Sequence, residues 1–410
     1  LTQELLHKML IARLLSKIYK EGGVILIDAD GQKYICGEPK KEKPITIKLL
    51  KKDLNWKLVL NADLTFPEAY MRGDIVIENA TLLEFLNSIF KNIRRKEITL
   101  SAFFIKKILQ AWRFISNFNL PIKSKKNVQH HYDVGGKKGE KLYDIFLDKK
   151  HRQYSCAYWK NEKDTLEDAQ QNKINHIISK LNIKPGQKIL DIGCGWGGMA
   201  FEIARQKNCE VLGVSLSENQ IDYCKKKAKS LNLDNQVSFQ LIDYRLLEGQ
   251  FDRIVSVGMF EHVGVKFYGT FFKTIKKLLK DNGISLLHTI GSIEKPQPGS
   301  PFITKYIFPG GVVPSYSQII KPIEKSGLIV SDSETLIRHY DKTLENWLKR
   351  FMQKRSEVKD LFDEKFARCW EFYLASCSAA FKYRDLVVFQ LQLVKSFDAI
   401  PSNRRDYIYS

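Results

Sequence analysis

The chain has 410 residues, of which 44% are hydrophobic and 27% charged, with 66 Lys and Arg against 46 Asp and Glu. This length predicts about two domains, and the composition is typical of a globular protein rather than a disordered one. The absence of an apolar run of about 18 residues excludes an ordinary membrane-spanning helix. The net charge of +20 indicates an acidic partner, either nucleic acid or an anionic membrane surface.

The cysteines predict neither a disulfide framework nor a metal site. There are seven of them, widely spaced and without a CxxC pair, so we expect no metal. Residues 1–20 have a pattern of apolar and basic positions that predicts an amphipathic helix rather than a secretory signal. We therefore expect a protein of the reducing cytosol.

Residues 1–125 predict a smaller α+β accessory domain without chemistry of its own. Alternating apolar and polar residues over 44–60 predict a short antiparallel sheet, and a helix is expected near 82–90. Residues 91–126 contain ten basic residues against the single acid Glu97, interleaved with Phe and Trp. This pattern is typical of a helix on an anionic bilayer, or of a solvated basic face whose apolar side packs on its own domain.

From about residue 165, strands alternate with helices, which predicts a doubly wound, mostly parallel α/β sheet in a catalytic domain over 126–410. Ligands of such sheets lie beyond the carboxyl ends of the strands, so functional residues are expected directly after each strand. The expected strands are 188–192, 210–215, 237–242, 253–257 and 283–288.

The first of these strands runs into a glycine-rich turn. The residues Asp191-Ile-Gly193-Cys-Gly195-Trp-Gly-Gly198 satisfy the dinucleotide pattern G-x-G-x-x-G. Asp191 would repel a pyrophosphate but attract the positively charged amino group of S-adenosylmethionine (SAM). The turn therefore favours SAM over a nicotinamide cofactor, with glycines that allow the backbone to approach the ligand closely.

Polar residues also follow the next two strands. The residues able to accept hydrogen bonds from the ribose hydroxyls of SAM are Ser215, Ser217, Glu218 and Gln220. Ser217 is better suited to cap the following helix. Asp243 and Tyr244 suit the adenine, with a carboxylate for its amino group and a flat ring for stacking.

Residues 131 to about 392 resemble the cyclopropane-fatty-acyl-phospholipid synthase family of SAM-dependent methyltransferases. The matching motifs are YSCAYW (154–159), LDIGCGWGG (190–198), DRIVSVGMFEHVG (252–264), LLHTIGS (286–292), KYIFPGG (305–311) and HYDKTLENW (339–347). The resemblance implies a class I SAM methyltransferase-like fold with a helical lid and acyl-chain pocket over about 300–390. Residues 67–86 resemble the accessory domain of bacterial members more weakly.

The resemblance implies that a methylene is transferred from SAM to the cis double bond of unsaturated acyl chains in membrane phospholipids, forming cyclopropane fatty acids. Methyl addition leaves a carbocation, and ring closure needs a nearby base to remove a proton from the added methyl group. In the family a bound bicarbonate takes this role. The resemblance places its side-chain ligands at Glu261, His288 and Tyr340, with backbone contacts from Cys156 and Ile290.

The same motifs add Tyr154 and Ser155 to the expected SAM-binding residues. Aromatic faces that can steady the carbocation are expected from Tyr154, Phe267, Phe271 and Phe272. His262 either orients its neighbour Glu261 or is only the first residue of a helix.

Three alternatives remain open from the sequence. They are a SAM methyltransferase of the same fold acting on another lipid or an amine, a nucleic-acid methyltransferase, and a lipid-binding protein without activity. Because no N/D-P-P-Y/F motif follows the fourth strand, we expect no nucleic-acid partner. By resemblance we expect a homodimer that associates peripherally with the cytoplasmic side of the inner membrane.

Overall fold

The computed structural model describes residues 9–93, 137–401 and 403–409. The chain forms two compact units, each assembled from separate stretches. The first unit takes its described residues from Leu1–Ile108, Ser300–Ile307 and Leu344–Asp385. The second takes them from Leu109–Gly299, Phe308–Thr343 and Leu386–Ser410.

The strands and helices are numbered in chain order over these described residues. The strands are β1 (Gly23–Ile27), β2 (Lys33–Gly37), β3 (Thr46–Leu49), β4 (Ile75–Glu78), β5 (Lys188–Ile192), β6 (Glu210–Ser215), β7 (Val237–Leu241), β8 (Phe251–Val257), β9 (Leu279–Ser292), β10 (Ile329–Leu336) and β11 (Leu386–Val394). The helices are α1 (Leu10–Ile18), α2 (Leu54–Arg72), α3 (Leu82–Asn92), α4 (Lys137–Phe146), α5 (Leu166–Leu181), α6 (Gly198–Lys207), α7 (Glu218–Ser230), α8 (Tyr268–Leu278), α9 (Tyr316–Ser326), α10 (His339–Gln353), α11 (Arg355–Leu361) and α12 (Glu364–Tyr383).

The first unit has a four-stranded sheet in the order β2-β1-β3-β4, with β1 and β3 parallel. Its helix α12 packs against α2 and α3. The ring of Phe372 on α12 lies 6.0 Å from that of Phe66 and 4.9 Å from that of Phe302, measured between centroids. Residues 300–307 and 344–385, which were expected to form the lid of the catalytic domain, therefore pack within this unit. The expected boundary near residue 125 lies outside the described residues.

The prediction of strand structure through residue 60 is wrong. Only β3 forms in the segment 44–60, and the second half of that segment begins α2. Leu54 and Leu58 are buried, whereas the exposed fraction of Trp56 is 50%. Residues four apart lie on the same face of a helix, so α2 buries both leucines on one face. This burial outweighs the alternation of apolar and polar residues that had suggested a strand.

The N-terminal helix and the basic segment are described only in part. The predicted amphipathic helix over 1–20 appears as α1 among the described residues. Of the basic segment 91–126, residues 91–93 are described, and Nζ of Lys91 lies 2.7 Å from a carboxylate oxygen of Glu21. In the described part of the chain, no helix has the length and apolar character needed to cross a membrane.

The second unit has the predicted doubly wound α/β fold. Its seven-stranded sheet has the order β10-β11-β9-β8-β5-β6-β7, parallel from β9 to β7 and antiparallel at β11 and β10. Ile189 and Leu190, adjacent on β5, belong to different apolar clusters. Neighbouring residues of a strand point to opposite faces, so the sheet is covered on both sides. The five predicted strands are all present as β5 to β9.

Candidate active site

A cavity opens at the carboxyl ends of β5, β6, β7 and β8 in the second unit. Loops after these strands and the segment before α5 line it. Nine of the residues considered for SAM lie in its wall, namely Tyr154, Ser155, Asp191, Gly193, Gly195, Ser215, Gln220, Asp243 and Tyr244, whereas Ser217 and Glu218 are not part of the lining. The topology thus collects residues from separate segments of the sequence into one wall.

The glycine turn after β5 is shaped by close backbone approaches. Gly193 has φ +80°, and a Cβ built there would lie 2.6 Å from Cβ of Met259. A Cβ at Gly198 would overlap the carbonyl oxygen of His151. At Gly195, with φ +54°, no atom of the described residues beyond its chain neighbours lies within 4 Å of such a Cβ. Gly193 and Gly198 permit close packing, whereas Gly195 leaves the backbone open to a ligand.

Asp191 lies near the end of β5 and is 2% exposed. Its Oδ2 has no hydrogen-bond partner among the residues that the structure describes. Burial raises the pKa of Asp191 to about 7, and the positive charge of Lys173 acts in the opposite direction. A buried carboxylate oxygen without a partner, in the wall of a cavity, fits the amino group of SAM.

Hydrogen bonds fix the loop after β6. Ser215 donates from Oγ to Oε1 of Gln220 at 2.9 Å and accepts the N–H of Ser217 at 3.2 Å. Ser217 caps α7 by accepting the N–H of Gln220 at 3.3 Å, as its position in the sequence suggested. Ser215 and Gln220 are therefore preorganised in the cavity wall.

The carboxylate after β7 already has a cationic partner. Nε of Arg245 donates to Oδ1 of Asp243 at 2.8 Å, and Nη2 donates to Oδ2. The neighbouring Tyr244 packs edge-on against Phe271, with 5.6 Å between the ring centroids. Asp243 and Tyr244 thus form a rigid corner of the cavity, in which Arg245 neutralises the carboxylate.

Glu261 lies in the segment that follows β8, and His288 lies in β9, the strand that pairs with β8. The Glu261 side chain is buried, and its Oε1 accepts the backbone N–H of Ile290 at 2.7 Å. Oε2 has no partner within the described ranges. Burial raises the pKa of Glu261 to about 7, so the carboxyl group can be protonated near neutral pH.

His288 is buried and is held from the neighbouring strand. Nε2 of Gln390 on β11 donates to Nδ1 of His288 at 3.1 Å. Burial lowers the pKa of His288 well below its usual value, so the ring is neutral. With Nδ1 accepting, the proton of the neutral ring is on Nε2, which makes Nε2–H a hydrogen-bond donor.

Cys156 and Tyr340 lie on two segments that are joined by hydrogen bonds between their neighbours. The N–H of Ala157 donates to Oγ1 of Thr343 at 3.2 Å, and the N–H of Trp159 donates to Nδ1 of His339 at 3.0 Å. These bonds join the segment that contains Cys156 to the first turn of α10, which contains Tyr340. Both residues are buried, and burial raises the pKa of the Cys156 thiol.

The expected aromatic faces are only partly at the cavity. Tyr154 lines it, but Phe271 and Phe272 are buried in the core below, and Phe267 packs against the same core. Phe271 and Phe272 thus lie in the apolar core and not in the lining of this cavity, and the expectation that they steady the carbocation stays a prediction. His262 lines the cavity, and burial lowers its pKa to about 4, so its ring is neutral.

Two residues that support the cavity wall were not predicted from the sequence. The carboxylate of Asp148 accepts the N–H groups of His151, Arg152 and Gln153 at 2.6, 3.1 and 2.7 Å. Behind this turn lies the fully buried Lys173 on α5. Asp148 stands before two lysines and resembles a surface acid in the sequence. Gln170 and Lys173 are three residues apart and therefore share a face of α5 with inward-facing isoleucines. This spacing is the signal in the sequence that could have identified Lys173 as buried.

Comparisons with known proteins agree with this geometry. The family model described as mycolic acid cyclopropane synthetase matches residues 120–391. The cyclopropane-fatty-acyl-phospholipid synthase of Escherichia coli (strain K12) is 43% identical over 276 residues, which cover 67% of this chain and 69% of that protein. The cyclopropane mycolic acid synthase MmaA2 of Mycobacterium tuberculosis is 32% identical over 66% of this chain and 96% of that protein. The crystal structure of the mycolic acid cyclopropane synthase CmaA1 complexed with SAH and CTAB matches with a TM-score of 0.62 and 31% identity, covering 67% of this chain and 99% of that one.

Proposed function

Since the chain belongs to the family of mycolic acid cyclopropane synthetases and is a SAM-dependent methyltransferase that forms cyclopropane fatty acids, we propose that its substrates are unsaturated acyl chains of membrane phospholipids. The name of the E. coli relative, a cyclopropane-fatty-acyl-phospholipid synthase, supports this substrate class. The structural observation that supports the chemistry on an alkene is the buried Glu261 carboxyl group, which has one oxygen held by Ile290 and the other without a partner in the described structure.

We assign the holding of SAM to the residues of the cavity wall. Asp191 receives the amino group on its unpartnered Oδ2, and Gly195 leaves its backbone open toward the ligand. Ser215 and Gln220 face the ribose hydroxyls, while Asp243 and Tyr244 enclose the adenine. When bound, SAM supplies an electrophilic methyl group.

The residues around the reacting atoms must hold the alkene in place, exclude water and remove a proton. The side chains of Glu261, His288 and Tyr340 are all buried, which supports their assignment to a site from which water is excluded. In such a site, fixed dipoles act strongly on developing charge, because the local dielectric constant is low. Tyr154 adds an aromatic face in the cavity wall.

We propose that Glu261, His288 and Tyr340 hold a bicarbonate ion, with Cys156 and Ile290 contributing backbone contacts. A bound bicarbonate supplies a weak base for the proton lost at ring closure. Glu261 fits an anionic neighbour because its raised pKa allows Oε2 to carry a shared proton. His288 fits because its neutral ring presents Nε2–H as a donor. The N–H of Ile290 is already donated to Glu261, so this residue acts chiefly by fixing the carboxyl group.

Incubation with SAM carrying a ¹³C-labelled methyl group and with vesicles of unsaturated phospholipid tests the substrate. We expect acyl chains heavier by one labelled CH2 that resist hydrogenation. Label in free amines or in a lipid outside the phospholipids, with none in phospholipid acyl chains, would overturn the proposal.

We further propose that the enzyme is a homodimer associated peripherally with the cytoplasmic side of the inner membrane. The basic segment 91–126 supplies the attraction to anionic lipid. Neutralising Lys91, Arg94, Arg95 and Lys96 should weaken sedimentation with anionic vesicles, and high salt should have the same effect on the unaltered protein. Unchanged sedimentation would exclude this segment as the docking site, and a monomer in analytical ultracentrifugation would exclude the dimer.

A further inference from the structure

A lysine is buried behind the wall of the cofactor cavity. Lys173 on α5 is 0% exposed, and its Nζ donates to Oε1 of Gln153 and, at 3.0 Å, to Oγ of Ser155. One turn earlier, Nε2 of Gln170 donates to the carbonyl oxygen of Ser155 at 2.9 Å. Gln153 and Ser155 line the cavity. Two successive turns of α5 therefore hold this part of the cavity wall.

The hydrogen-bond partners of Lys173 named above are neutral, although a buried ammonium group is unfavourable without negative charge nearby. The negative charges that stabilise it are those of Asp148 and Asp191. Asp148 is occupied by three backbone N–H groups. Oδ2 of Asp191 has no hydrogen-bond partner in the described part of the chain. Of the two carboxylates, Asp191 is the one that can face a ligand.

The ionisation of Lys173 and that of Asp191 depend on each other. Burial lowers the pKa of Lys173 to about 8 and raises the pKa of Asp191 to about 7, while the charge of each residue favours the ionised form of the other. The other titratable groups that face the pair are Asp148, Cys156, Cys194 and His288. Loss of the lysine charge would therefore favour a protonated Asp191 near neutral pH.

We propose that Lys173 is a positioning residue of the cofactor site: its ammonium group holds Gln153 and Ser155 in the cavity wall, and its charge favours the carboxylate form of Asp191, which is assigned to receive the amino group of SAM. This inference rests on the proposed role of Asp191 in binding SAM. Lys173 itself does not belong to the cavity lining. It acts on the cofactor only through the three residues that do.

Lys173→Met tests the proposal, because it removes the charge and both hydrogen bonds but keeps the length of the side chain. Lys180→Met is the matched control: Lys180 is equally buried on the same helix, but it pairs with Glu334 at 2.5 Å, and neither residue lines the cavity. The affinity for S-adenosylhomocysteine (SAH) is measured by calorimetry from pH 6 to 9, and circular dichroism reports the fold.

We expect Lys173→Met to weaken SAH binding several-fold at pH 7, because the cavity wall loses the hydrogen bonds to Gln153 and Ser155 and the carboxylate form of Asp191 loses a favourable charge. The pH below which binding weakens should also move upward relative to the unaltered protein. Lys180→Met should lose thermal stability but bind SAH as the unaltered protein does. Comparing the variant with the unaltered protein at each pH cancels the effect that titration of SAH's own amino group has on the affinity.

If Lys173→Met does not fold, Lys173→Gln carries the same test, because it keeps a hydrogen-bond donor without the charge. An unchanged SAH affinity and pH profile in the folded Lys173 variant would overturn the proposal. Asp191→Asn separates the proposed role of Asp191 in binding SAM from the proposed role of Lys173. Full SAH affinity in that variant would refute the role of Asp191, whereas a loss there, with none at Lys173, would refute only the role of the lysine.

Discussion

The backbone N–H of Ile290 donates to Oε1 of Glu261 at 2.7 Å, which ties the loop after β8 to the end of β9. This bond fixes the carboxyl group and leaves Oε2 without a partner among the described residues. Because burial raises the pKa of Glu261 to about 7, Oε2 can carry a proton near neutral pH. The proposed chemistry depends on this oxygen.

Glu261→Gln should reduce turnover by roughly 100-fold or more, the usual range for loss of a group that handles a proton. SAH binding should persist, because the amide oxygen of Gln can still accept the N–H of Ile290. Gas chromatography with mass spectrometry of the acyl chains measures turnover, and calorimetry measures SAH binding. Glu210→Gln is the control, since Glu210 is exposed at the opposite end of the strands. Near-normal turnover in Glu261→Gln would remove the residue from the chemistry.

His288→Ala should also reduce turnover by roughly 100-fold, because it removes the Nε2–H donor from the anion site. SAH affinity should stay within about twofold, since His288 does not line the cofactor cavity. The same two assays apply. A variant that loses SAH affinity and turnover in equal proportion would show that His288 supports the cofactor cavity rather than the anion.

The raised pKa of Glu261 predicts a pH dependence of stability. Burial favours the protonated form, so the stabilising contribution is complete below the ordinary pKa of 4.5 and is lost as the pH rises through about 7. Glu261→Gln stays neutral throughout, so its free energy of unfolding relative to the unaltered protein should rise by up to about 3 kcal/mol between pH 4 and pH 8. Urea unfolding at several pH values measures this difference. A constant difference would mean that Glu261 is ionised in the folded protein.

Asp191→Asn should weaken SAH binding between about tenfold and 100-fold, because it replaces a charged acceptor opposite the amino group by a neutral one. The fold should be retained, since the side chain keeps its shape and loses a buried charge. Calorimetric titration with SAH measures the effect against Glu210→Gln. Equal affinities in these two variants would contradict the assignment of the amino group to Asp191.

Gly198→Ala should destabilise the protein strongly, because its Cβ would overlap the carbonyl oxygen of His151. Gly269→Ala is the matched control, since Gly269 lies in α8 and an added methyl group there would meet no atom of the described residues outside its own helix within 4 Å. That control should be neutral or more stable by up to about 1 kcal/mol. Thermal unfolding distinguishes them, and equal melting temperatures would mean that the turn and His151 can separate at little cost.

The strands of the catalytic unit and the polar residues after them could be predicted from the sequence, because apolar runs and glycine turns are local signals. The nine residues of the cofactor cavity follow from those signals, from the topology of a doubly wound sheet and from the family motifs. Lys173 was missed because a lysine is ordinarily exposed, and only the surrounding fold makes it a buried one. The strand expected through residue 60 was wrong because short apolar patterns do not separate a strand from one buried helix face.

The central claim is that a methyl group from SAM becomes the methylene of a ring and loses one proton on the enzyme. SAM with a trideuterated methyl group, incubated with unsaturated phospholipid vesicles, tests this most directly. We expect acyl chains that gain two deuterons, resist hydrogenation, and are nearly absent with Glu261→Gln. Unsaturated or hydroxylated acyl chains that retain all three deuterons in a methyl branch would contradict the claim.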